Sequence, residues 1–348
     1  MVEKMKILYA DQIYYKEHRY FDNKTIQNLS KVCDLTVLSP DNWYKQIDGV
    51  KYVFGAVDIY KKQKTHLNSI IGAVKNSFFI ARKIKELKPE VVILGEYEIL
   101  VYFLLGRLFK SRIILIHHNN LDQLGNRIKR FMFGHFKNKV FHCVLEPYIK
   151  KWLVDNQFAP KDKIVCWPHP MERNHRILKR TPIFDCVALS NSNDEDIIQK
   201  IIDCEKEKHI FEKKNQHIVL RSKITEFDDG YLKVLNGWIE DKDYEDFISQ
   251  TRSIMVTVPT SFNNRVSASI IEAFDQKIPV IGNESALFKF YRDKYPSICY
   301  ILNLDRIDEL ISEINIDDMQ IDFEAFRENH CDLTIQRTMK EDLEKINS

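Results

Sequence analysis

The feature that most constrains the fold of this chain is a repeated alternation of short apolar runs with longer amphipathic stretches. The runs are rich in Val, Ile and Leu, whereas stretches such as Tyr20–Val32 and Glu98–Phe109 have helical spacing. Strands that are apolar along their whole length are typical of parallel sheets covered by helices on both faces. The predicted strands are Lys6–Tyr9, Leu35–Leu38, Val91–Leu94, Ile113–Ile116, Val140–Val144, Phe184–Leu189, His217–Leu220, Lys233–Leu235, Ile254–Val258 and Pro279–Gly282. The alternation therefore predicts an α/β protein.

The alternation is interrupted at Ile164–Pro170, where Pro168 and Pro170 stop regular structure. The chain has 348 residues, enough for two domains of roughly 150 to 180 residues each. We therefore expect an N-terminal domain over residues 1–168 and a C-terminal domain over residues 169–322. A polar helical tail, Phe323–Ile346, follows them.

Composition excludes several other classes of protein. With 44% hydrophobic and 29% charged residues, the chain has the balance of a folded soluble protein. Its longest apolar run, Ile99–Leu105, is far shorter than the roughly 20 residues that span a bilayer, and the N-terminus lacks a signal-peptide core. The seven cysteines form no C-x-x-C pair, which indicates reduced thiols rather than disulfides or a zinc site. We expect a cytoplasmic protein.

Charge divides the chain into two unlike halves. Residues 1–180 carry 32 Lys and Arg against 17 Asp and Glu, whereas residues 181–348 carry 20 against 33. Within the basic half, Gln123–Lys139 reads as a basic amphipathic helix that either lies on an anionic membrane or packs its apolar face into the core. The apolar positions are Ile128, Phe131, Met132 and Phe136, and the basic ones are Arg127, Lys129, Arg130, Lys137 and Lys139. Nucleic acid is not expected as a partner, because the basic region lacks a recognition module.

The segment Ile254–Gly282 carries the strongest functional signal. It combines a buried strand, a polar loop, a helix predicted over Val266–Phe274 and a second strand from Pro279. In a doubly wound sheet, ligands bind outside the carboxyl ends of the strands, where helix N-termini favour anions. The start of this helix is therefore predicted to bind a diphosphate. Glu272, farther along, is placed to accept hydrogen bonds from sugar hydroxyls.

This segment resembles the donor-binding signature of GT-B fold glycosyltransferases of the family-4 type. The resemblance runs through Arg265–Phe274 and continues in Lys277–Gly282. It implies that Glu272 is the second Glu of the E-x7-E motif, which contacts the nucleotide ribose. Asn264 stands where the family has the first Glu, so the chain departs from the pattern there. The donor-binding residues implied in this segment are Asn264, Arg265, Ser267, Ser269 and Glu272.

Other segments resemble the family in the same order along the chain. Arg221 and Lys223 match the pair that holds the donor diphosphate, the first as a bidentate clamp and the second as a point charge on the leaving group. Trp238 matches a position that borders the nucleobase. His118 matches a histidine that faces the transferred sugar, and the adjacent His117 should point to the opposite face if the chain is extended. The resemblance thus implies catalytic roles for His118, Arg221 and Lys223.

An acidic run, Asp194-Glu195-Asp196, has two interpretations. It fits the D-x-D pattern that binds a metal ion in the other large glycosyltransferase fold. Carboxylates that stabilise a helix N-terminus explain the run more simply, and no metal is expected. Ser190 and Asn191, which precede the run, are candidates for the donor-side loop.

The resemblance implies two Rossmann-like doubly wound parallel-sheet domains that face a cleft, with helix 323–348 packing back on the N-terminal domain. It implies a hexosyltransferase-type enzyme that moves a sugar from a nucleotide-diphosphate sugar to a glycan or polyprenyl-diphosphate-linked acceptor, as in surface polysaccharide or glycoconjugate synthesis. The transfer would be retaining and independent of metals and cofactors. The enzyme would be cytoplasmic or peripheral at the inner face of the plasma membrane.

Two other functions on the same fold stay open. Asn264, and the absence of glycine from Ala10–Tyr15, permit a non-catalytic subunit that binds and activates a partner glycosyltransferase. A nucleotide-sugar 2-epimerase would form its product without any acceptor. A dinucleotide oxidoreductase ranks below all of these, because the chain has no G-x-G-x-x-G.

Overall fold

The computed structural model describes residues 4–58, 66–171, 182–259, 261–314 and 319–347. The chain divides into two compact units. Unit 1 comprises Met1–Pro170, Asn264–Val266 and His330–Ser348, and unit 2 comprises Met171–Asn263 and Ser267–Asn329. The chain therefore enters unit 2 after Pro170, close to the boundary expected from the sequence, and later returns to unit 1 twice.

Unit 1 is built on a seven-stranded parallel sheet. Its strands are β1 (Lys6–Ala10), β2 (Asp34–Ser39), β3 (Lys51–Phe54), β4 (Val91–Leu94), β5 (Arg112–Ile116), β6 (Phe141–Val144) and β7 (Ile164–Cys166). They are arranged in the order β3-β2-β1-β4-β5-β6-β7, and each neighbouring pair is parallel. The direction of winding changes between β1 and β4, where the loops after the two strands diverge and leave room for a ligand.

Helices cover both faces of this sheet and bury its apolar side chains in two cores. The helices are α1 (Arg19–Val32), α2 (His66–Leu87), α3 (Ile99–Leu105), α4 (Arg127–Phe136) and α5 (Pro147–Asp155). Helix α4 begins at Asn126, whose side chain accepts hydrogen bonds from the backbone N–H groups of Ile128 and Lys129. It buries Phe133 and Phe136, which lie three residues apart and therefore on one side of the helix.

Unit 2 repeats the plan with a second seven-stranded sheet. Its strands are β8 (Cys186–Ala188), β9 (Ile218–Ser222), β10 (Phe227–Asp228), β11 (Leu232–Asn236), β12 (Ile254–Val256), β13 (Val280–Gly282) and β14 (Cys299–Ile301). Its helices are α6 (Glu195–Lys208), α7 (Ile210–Lys214), α8 (Asp241–Ser249), α9 (Ala268–Asp275), α10 (Ala286–Lys294), α11 (Ile307–Glu313) and α12 (Gln320–His330). The strand order is β10-β11-β9-β8-β12-β13-β14, and the short β10 pairs antiparallel with β11.

The C-terminal segment differs from the single helix predicted over Phe323–Ile346. It consists of α12 and a separate helix α13 (Asp332–Asn347), with Cys331 between them. Up to Asn329 the segment belongs to unit 2, whereas α13 belongs to unit 1. Helix α13 is amphipathic, and its buried side chains are Ile335, Met339, Leu343 and Ile346.

The predicted α/β alternation is confirmed, with local corrections. The helix predicted from Val266 begins at Ala268, because Ser267 has extended backbone angles (φ −94°, ψ 115°). Ile164–Cys166, predicted as part of the linker, forms the edge strand β7 ahead of the two prolines. Within the described ranges, no helix is both long enough and apolar enough to span a membrane.

Candidate functional site

The carboxyl edge of the unit 2 sheet gathers most of the residues predicted to bind a donor. Parallel strands end at one edge of a sheet, and the loops that follow them surround a common site. Here the contributing segments follow β8, β9, β11 and β12, or lie at the ends of these strands. The predicted residues in these segments are Ser190, Asn191, Arg221, Lys223, Trp238, Ser267 and Ser269.

Arg221 is held rigidly near the end of β9. Its side chain is largely buried, and its Nε donates a 2.7 Å hydrogen bond to the carbonyl of Gly237. Gly237 has φ +91°, a backbone conformation that glycine adopts without side-chain strain. The guanidinium carbon lies 5.5 Å from the ring centroid of Trp238, whose side chain is exposed. Burial lowers the pKa of Arg221, but a guanidinium stays charged at neutral pH, so Arg221 presents a fixed cation.

Glu272 is fixed by a tyrosine that sequence reasoning did not single out. The Tyr244 hydroxyl, on α8, donates a 2.6 Å hydrogen bond to Oε2 of Glu272 on α9. Tyr244 is also hydrogen-bonded to Ser269. Burial, together with the negative charge of Glu272, raises the pKa of Tyr244, so the phenol stays protonated and can donate. Nothing in the local pattern of α8 distinguishes Tyr244, because the contact is tertiary.

The acidic run after β8 caps a helix, as the simpler interpretation predicted. The Asp194 side chain accepts hydrogen bonds from the N–H groups of Asp196 and Ile197 at the start of α6. The Glu195 carboxylate accepts one from the Ser222 hydroxyl and one of 2.9 Å from the backbone N–H of Lys223. These contacts connect α6 to the loop after β9, and they leave the Lys223 side chain exposed.

Asn264 and Arg265, also predicted to bind the donor, belong to unit 1 rather than to unit 2 with Glu272. The backbone N–H of Asn264 donates a 2.8 Å hydrogen bond to Asp122, and Arg265 forms an ion pair with the same carboxylate. The Tyr148 hydroxyl donates to the carbonyl of Arg265. No local pattern indicates this arrangement, because Asp122 lies more than 140 residues away along the chain.

In unit 1, the two adjacent histidines after β5 have different environments. The Nε2 of His117 lies 2.9 Å from Nδ1 of His142, whose Nε2 lies 2.8 Å from the carbonyl of Lys137. The other His117 nitrogen lies 3.1 Å from the Tyr97 hydroxyl. Because a carbonyl can only accept, His142 donates to Lys137 and accepts from His117. His117 is therefore part of a buried hydrogen-bond chain.

His118 points to the other side, toward the crevice between β1 and β4. Its ring stacks on that of His18, with centroids 4.4 Å apart, and meets the Phe21 ring edge-on. Glu96, which follows β4, contacts His18 Nδ1, and its Oε1 lies 3.4 Å from His118 Nε2. Neither His18 nor Glu96 was predicted as a site residue, because they meet His118 only in the folded sheet.

Two further carboxylates are buried behind this cluster. Asp22 accepts a 2.7 Å hydrogen bond from the Tyr9 hydroxyl, and Asp11 accepts one from Tyr44. Burial, reinforced by the negative charge of Glu96, raises the pKa of Asp11 to about 8. Burial alone would lower the pKa of His18, but the charge of Glu96 and its hydrogen bond raise that pKa to about 9. At pH 7 Asp11 is therefore mainly protonated and neutral, whereas His18 is protonated and paired with Glu96.

Comparison with solved structures identifies the architecture, although no protein-family model and no curated protein matches the chain. A glycosyltransferase from Rickettsia africae superposes with a TM-score of 0.63 at 13% identity, over 99% of this chain and 98% of that one. A UDP-forming α,α-trehalose-phosphate synthase from Burkholderia xenovorans gives 0.67 at 9% identity, over 99% and 100%. HepE from Anabaena, solved with UDP and glucose, gives 0.61 at 10% identity, over 98% and 99%.

The chain has the GT-B fold. Two Rossmann-like parallel-sheet units, predicted from the alternation and from the resemblance, are confirmed. Within this fold, Arg221, Trp238 and Glu272 lie in unit 2, and His118 lies in unit 1.

Proposed function

We propose that this GT-B protein is a glycosyltransferase that uses a nucleotide-diphosphate sugar as its donor. The observation that carries the proposal is the fixed, buried cation Arg221 beside the exposed ring of Trp238 at the carboxyl edge of a Rossmann-like sheet. A planar guanidinium can bind two oxygens of a diphosphate at once, and an aromatic ring offers a stacking surface to a nucleobase. The binding of UDP and glucose by the similar HepE supports the same class of ligand.

Each remaining residue of the donor site has a defined task in this proposal. The exposed ammonium of Lys223 adds positive charge for the leaving diphosphate. Ser267 and Ser269 offer hydroxyls beside the N-terminus of α9, and Ser190 and Asn191 line the loop after β8. Glu272 accepts hydrogen bonds from the ribose, with one of its oxygens already fixed by Tyr244.

The proposed transfer needs no metal, because Arg221 and Lys223 supply the charge that a metal would otherwise provide at the diphosphate. The proposal that it is retaining rests on the resemblance to the family-4 type alone. Catalysis then comes from electrostatic stabilisation of the departing diphosphate and from orientation of the two substrates. His118, whose burial lowers its pKa well below the usual value, is neutral at pH 7 and faces the sugar as a hydrogen-bonding group.

We further propose that the acceptor is a glycan or lipid-linked oligosaccharide and that unit 1 meets an anionic membrane. On α4, Ile128 and Phe131 are 65% and 63% exposed, whereas Phe133 is buried. Arg127 and Arg130 are exposed on the same helix, and residues 123–145 contain no Asp or Glu. A surface that combines cations with protruding apolar side chains fits the interface of an anionic bilayer.

The outer face of α2 has the same character. Leu67, Ile71 and Phe78 are exposed, and Lys75 and Arg82 are exposed at intervening helical positions. Helix α2 packs against α3, and α3 packs against α4, so the three helices cover one side of the sheet. This continuity favours a membrane-facing surface larger than one helix.

Nucleotide-dependent stabilisation tests the donor proposal. The purified chain is melted with UDP, GDP, dTDP or CMP in the presence of a chelator, alongside Glu272→Gln and a control, Glu207→Gln, on the exposed side of α6. A nucleotide at 100 times its Kd should stabilise the protein by about 2.7 kcal/mol. We expect this effect with one base, in the chain and in Glu207→Gln, and at least a tenfold loss of affinity in Glu272→Gln.

A second readout is slow hydrolysis of the corresponding nucleotide-sugar, which releases the diphosphate without an acceptor. Absence of stabilisation by every nucleotide would contradict the donor site and favour the non-catalytic subunit. Formation of an epimerised nucleotide-sugar would favour the 2-epimerase instead.

A further inference from the structure

Three side chains in the unit 1 crevice have the composition and spacing of a metal site. His18 precedes α1, Glu96 follows β4 and His118 follows β5, so separate elements bring them together. One potential ligand atom from each lies within 4.8 Å of the other two. His18 Nδ1 and His118 Nε2 both face Oε1 of Glu96, and the two rings are stacked at an interplanar angle of 23°.

Among the described residues, His118 presents a buried ring nitrogen without a hydrogen-bond partner to the other two side chains of the cluster. Its Nε2 is buried and has no hydrogen-bond partner among the residues that the structure describes. The ring does hydrogen-bond the backbone of Gly95, which assigns that bond to its other nitrogen. With the other nitrogen carrying the proton, Nε2 has the lone pair of a neutral ring and lies 3.4 Å from the Glu96 carboxylate, so one cation can bind both groups. A hydrogen bond from the second ring nitrogen to the backbone is also the usual support of a metal-binding histidine.

Two further carboxyl groups, those of Asp11 and Asp22, are buried close to the cluster. Asp11, Asp22 and Glu96 are each at most 2% exposed. Oδ2 of Asp22 is buried and has no hydrogen-bond partner within the described ranges. Oδ1 of Asp11 accepts a 2.8 Å hydrogen bond from the backbone N–H of Glu96, so Asp11 holds one of the three side chains of the cluster in position.

We propose that His18, Glu96 and His118 bind one Zn²⁺ ion, with water as the fourth ligand. Two imidazoles and one carboxylate form a ligand set that zinc accepts in proteins that keep one position open. The side chain of His18 is 27% exposed, which gives the ion a path from solvent. On binding, the zinc replaces the proton shared by His18 and Glu96, and this proton is released to the buffer.

The site has a consequence for the proposed glycosyltransferase, and this part rests on that proposal. Zinc would occupy Nε2 of His118, the group assigned to face the sugar, and would therefore inhibit transfer. Bound zinc would therefore be a reversible inhibitor. Its site lies in unit 1, whereas the donor diphosphate is proposed to bind in unit 2 without a metal.

A competition titration tests the site without any activity assay. The full chain, stripped with a chelator, is titrated with ZnCl₂ against a chromophoric chelator of known affinity. We expect one tight site that weakens at least tenfold in His18→Gln and in Glu96→Gln. The control is His209→Gln, which removes an exposed histidine that lies 3.0 Å from Glu212, and it should leave the affinity unchanged.

Calorimetry in two buffers of different ionisation enthalpy should show release of about one proton for each zinc bound. Equal zinc affinity in the chain and in His18→Gln would overturn the proposal, as would an affinity lost only in His209→Gln. If the variants fail to fold, Co²⁺ added to the unaltered chain decides the matter. Four-coordinate Co²⁺ gives intense visible bands, and a spectrum of hydrated Co²⁺ alone would equally overturn the site.

Inhibition separates the two proposals. If zinc binds but no nucleotide-sugar is transferred or hydrolysed, the zinc site is supported and the glycosyltransferase proposal is contradicted. Nucleotide binding and transfer without zinc binding rejects only the site. Support for both requires inhibition by zinc at the concentration that fills the site.

Discussion

His142 lies in a buried hydrogen-bond chain that requires neutral imidazoles. Burial lowers the pKa of His142 to about 4, against an ordinary value near 6.5. The folded protein therefore binds fewer protons than the unfolded chain between these two pH values, and stability falls as the pH drops below about 6.5. From these values His142 alone should cost about 2 kcal/mol of unfolding free energy between pH 7 and pH 5.

Denaturant unfolding at pH 7 and pH 5 measures this effect. His142→Gln should be less stable at pH 7 but should lose about 2 kcal/mol less than the parent protein on acidification. His135→Gln, which changes an exposed histidine on α4, should keep the parental pH dependence. If the unfolding free energy of His142→Gln kept the parental pH dependence, protonation of His142 would not destabilise the folded protein, and the prediction would be wrong.

At the scale of single residues, the sequence indicated several candidate site residues but not the side chains that contact them in the folded protein. The order of strand, loop and helix indicated where Glu272 lies, whereas Arg221 was indicated only by the resemblance to GT-B glycosyltransferases. The sequence also predicted that the two adjacent histidines point to opposite faces, and the structure gives them separate environments. It could not identify Tyr244 or His18, because each meets its partner only through contacts between distant elements.

The element that departs most from expectation is α4. The predicted apolar face grouped Ile128 and Phe131 with Phe136, but the structure buries Phe133 and Phe136 and exposes the first two. Apolar residues occupy more than one side of this helix, so periodicity alone could not choose the inward side. Phe133 and Phe136 pack in the core, as one interpretation of the segment expected, while Ile128 and Phe131 are exposed beside basic residues. Contact with a membrane stays a prediction.

The exposed residues of α4 allow a test of the proposed contact with an anionic membrane. Ile128→Ser/Phe131→Ser should reduce binding to vesicles that contain phosphatidylglycerol at least tenfold, because apolar insertion and charge attraction act together. Co-sedimentation at low and high salt measures the binding, with phosphatidylcholine vesicles as the neutral comparison. Leu333→Ser, which alters an exposed leucine of α13, should bind as the parent does. Parental binding by the double variant would place the membrane surface elsewhere.

At the scale of the whole molecule, the C-terminal end of the chain completes the N-terminal unit. Ile335, Met339 and Leu343 of α13 are buried in the core that also contains residues of α1, β1 and β2. The Trp167 indole donates a 3.2 Å hydrogen bond to Asp342, and Gln336 donates one of 2.9 Å to Asn28. The resemblance implied that the C-terminal helix packs back on the N-terminal domain. The division of this segment into α12 and α13 at Cys331 depends on tertiary packing, so no local pattern indicates it.

This arrangement predicts which unit loses stability when the packing of α13 is disrupted. Leu343→Ala removes a buried side chain and should cost about 2 to 5 kcal/mol of stability, whereas Leu333→Ala, 75% exposed on the same helix, should cost little. Because α13 packs within unit 1, amide exchange in Leu343→Ala should accelerate in β1 and β2 more than in β8 and β9. Nucleotide-dependent protection of β9 should persist, since Arg221 and Glu272 lie in unit 2. Uniform acceleration across both sheets would instead mean that the two units unfold as one cooperative structure.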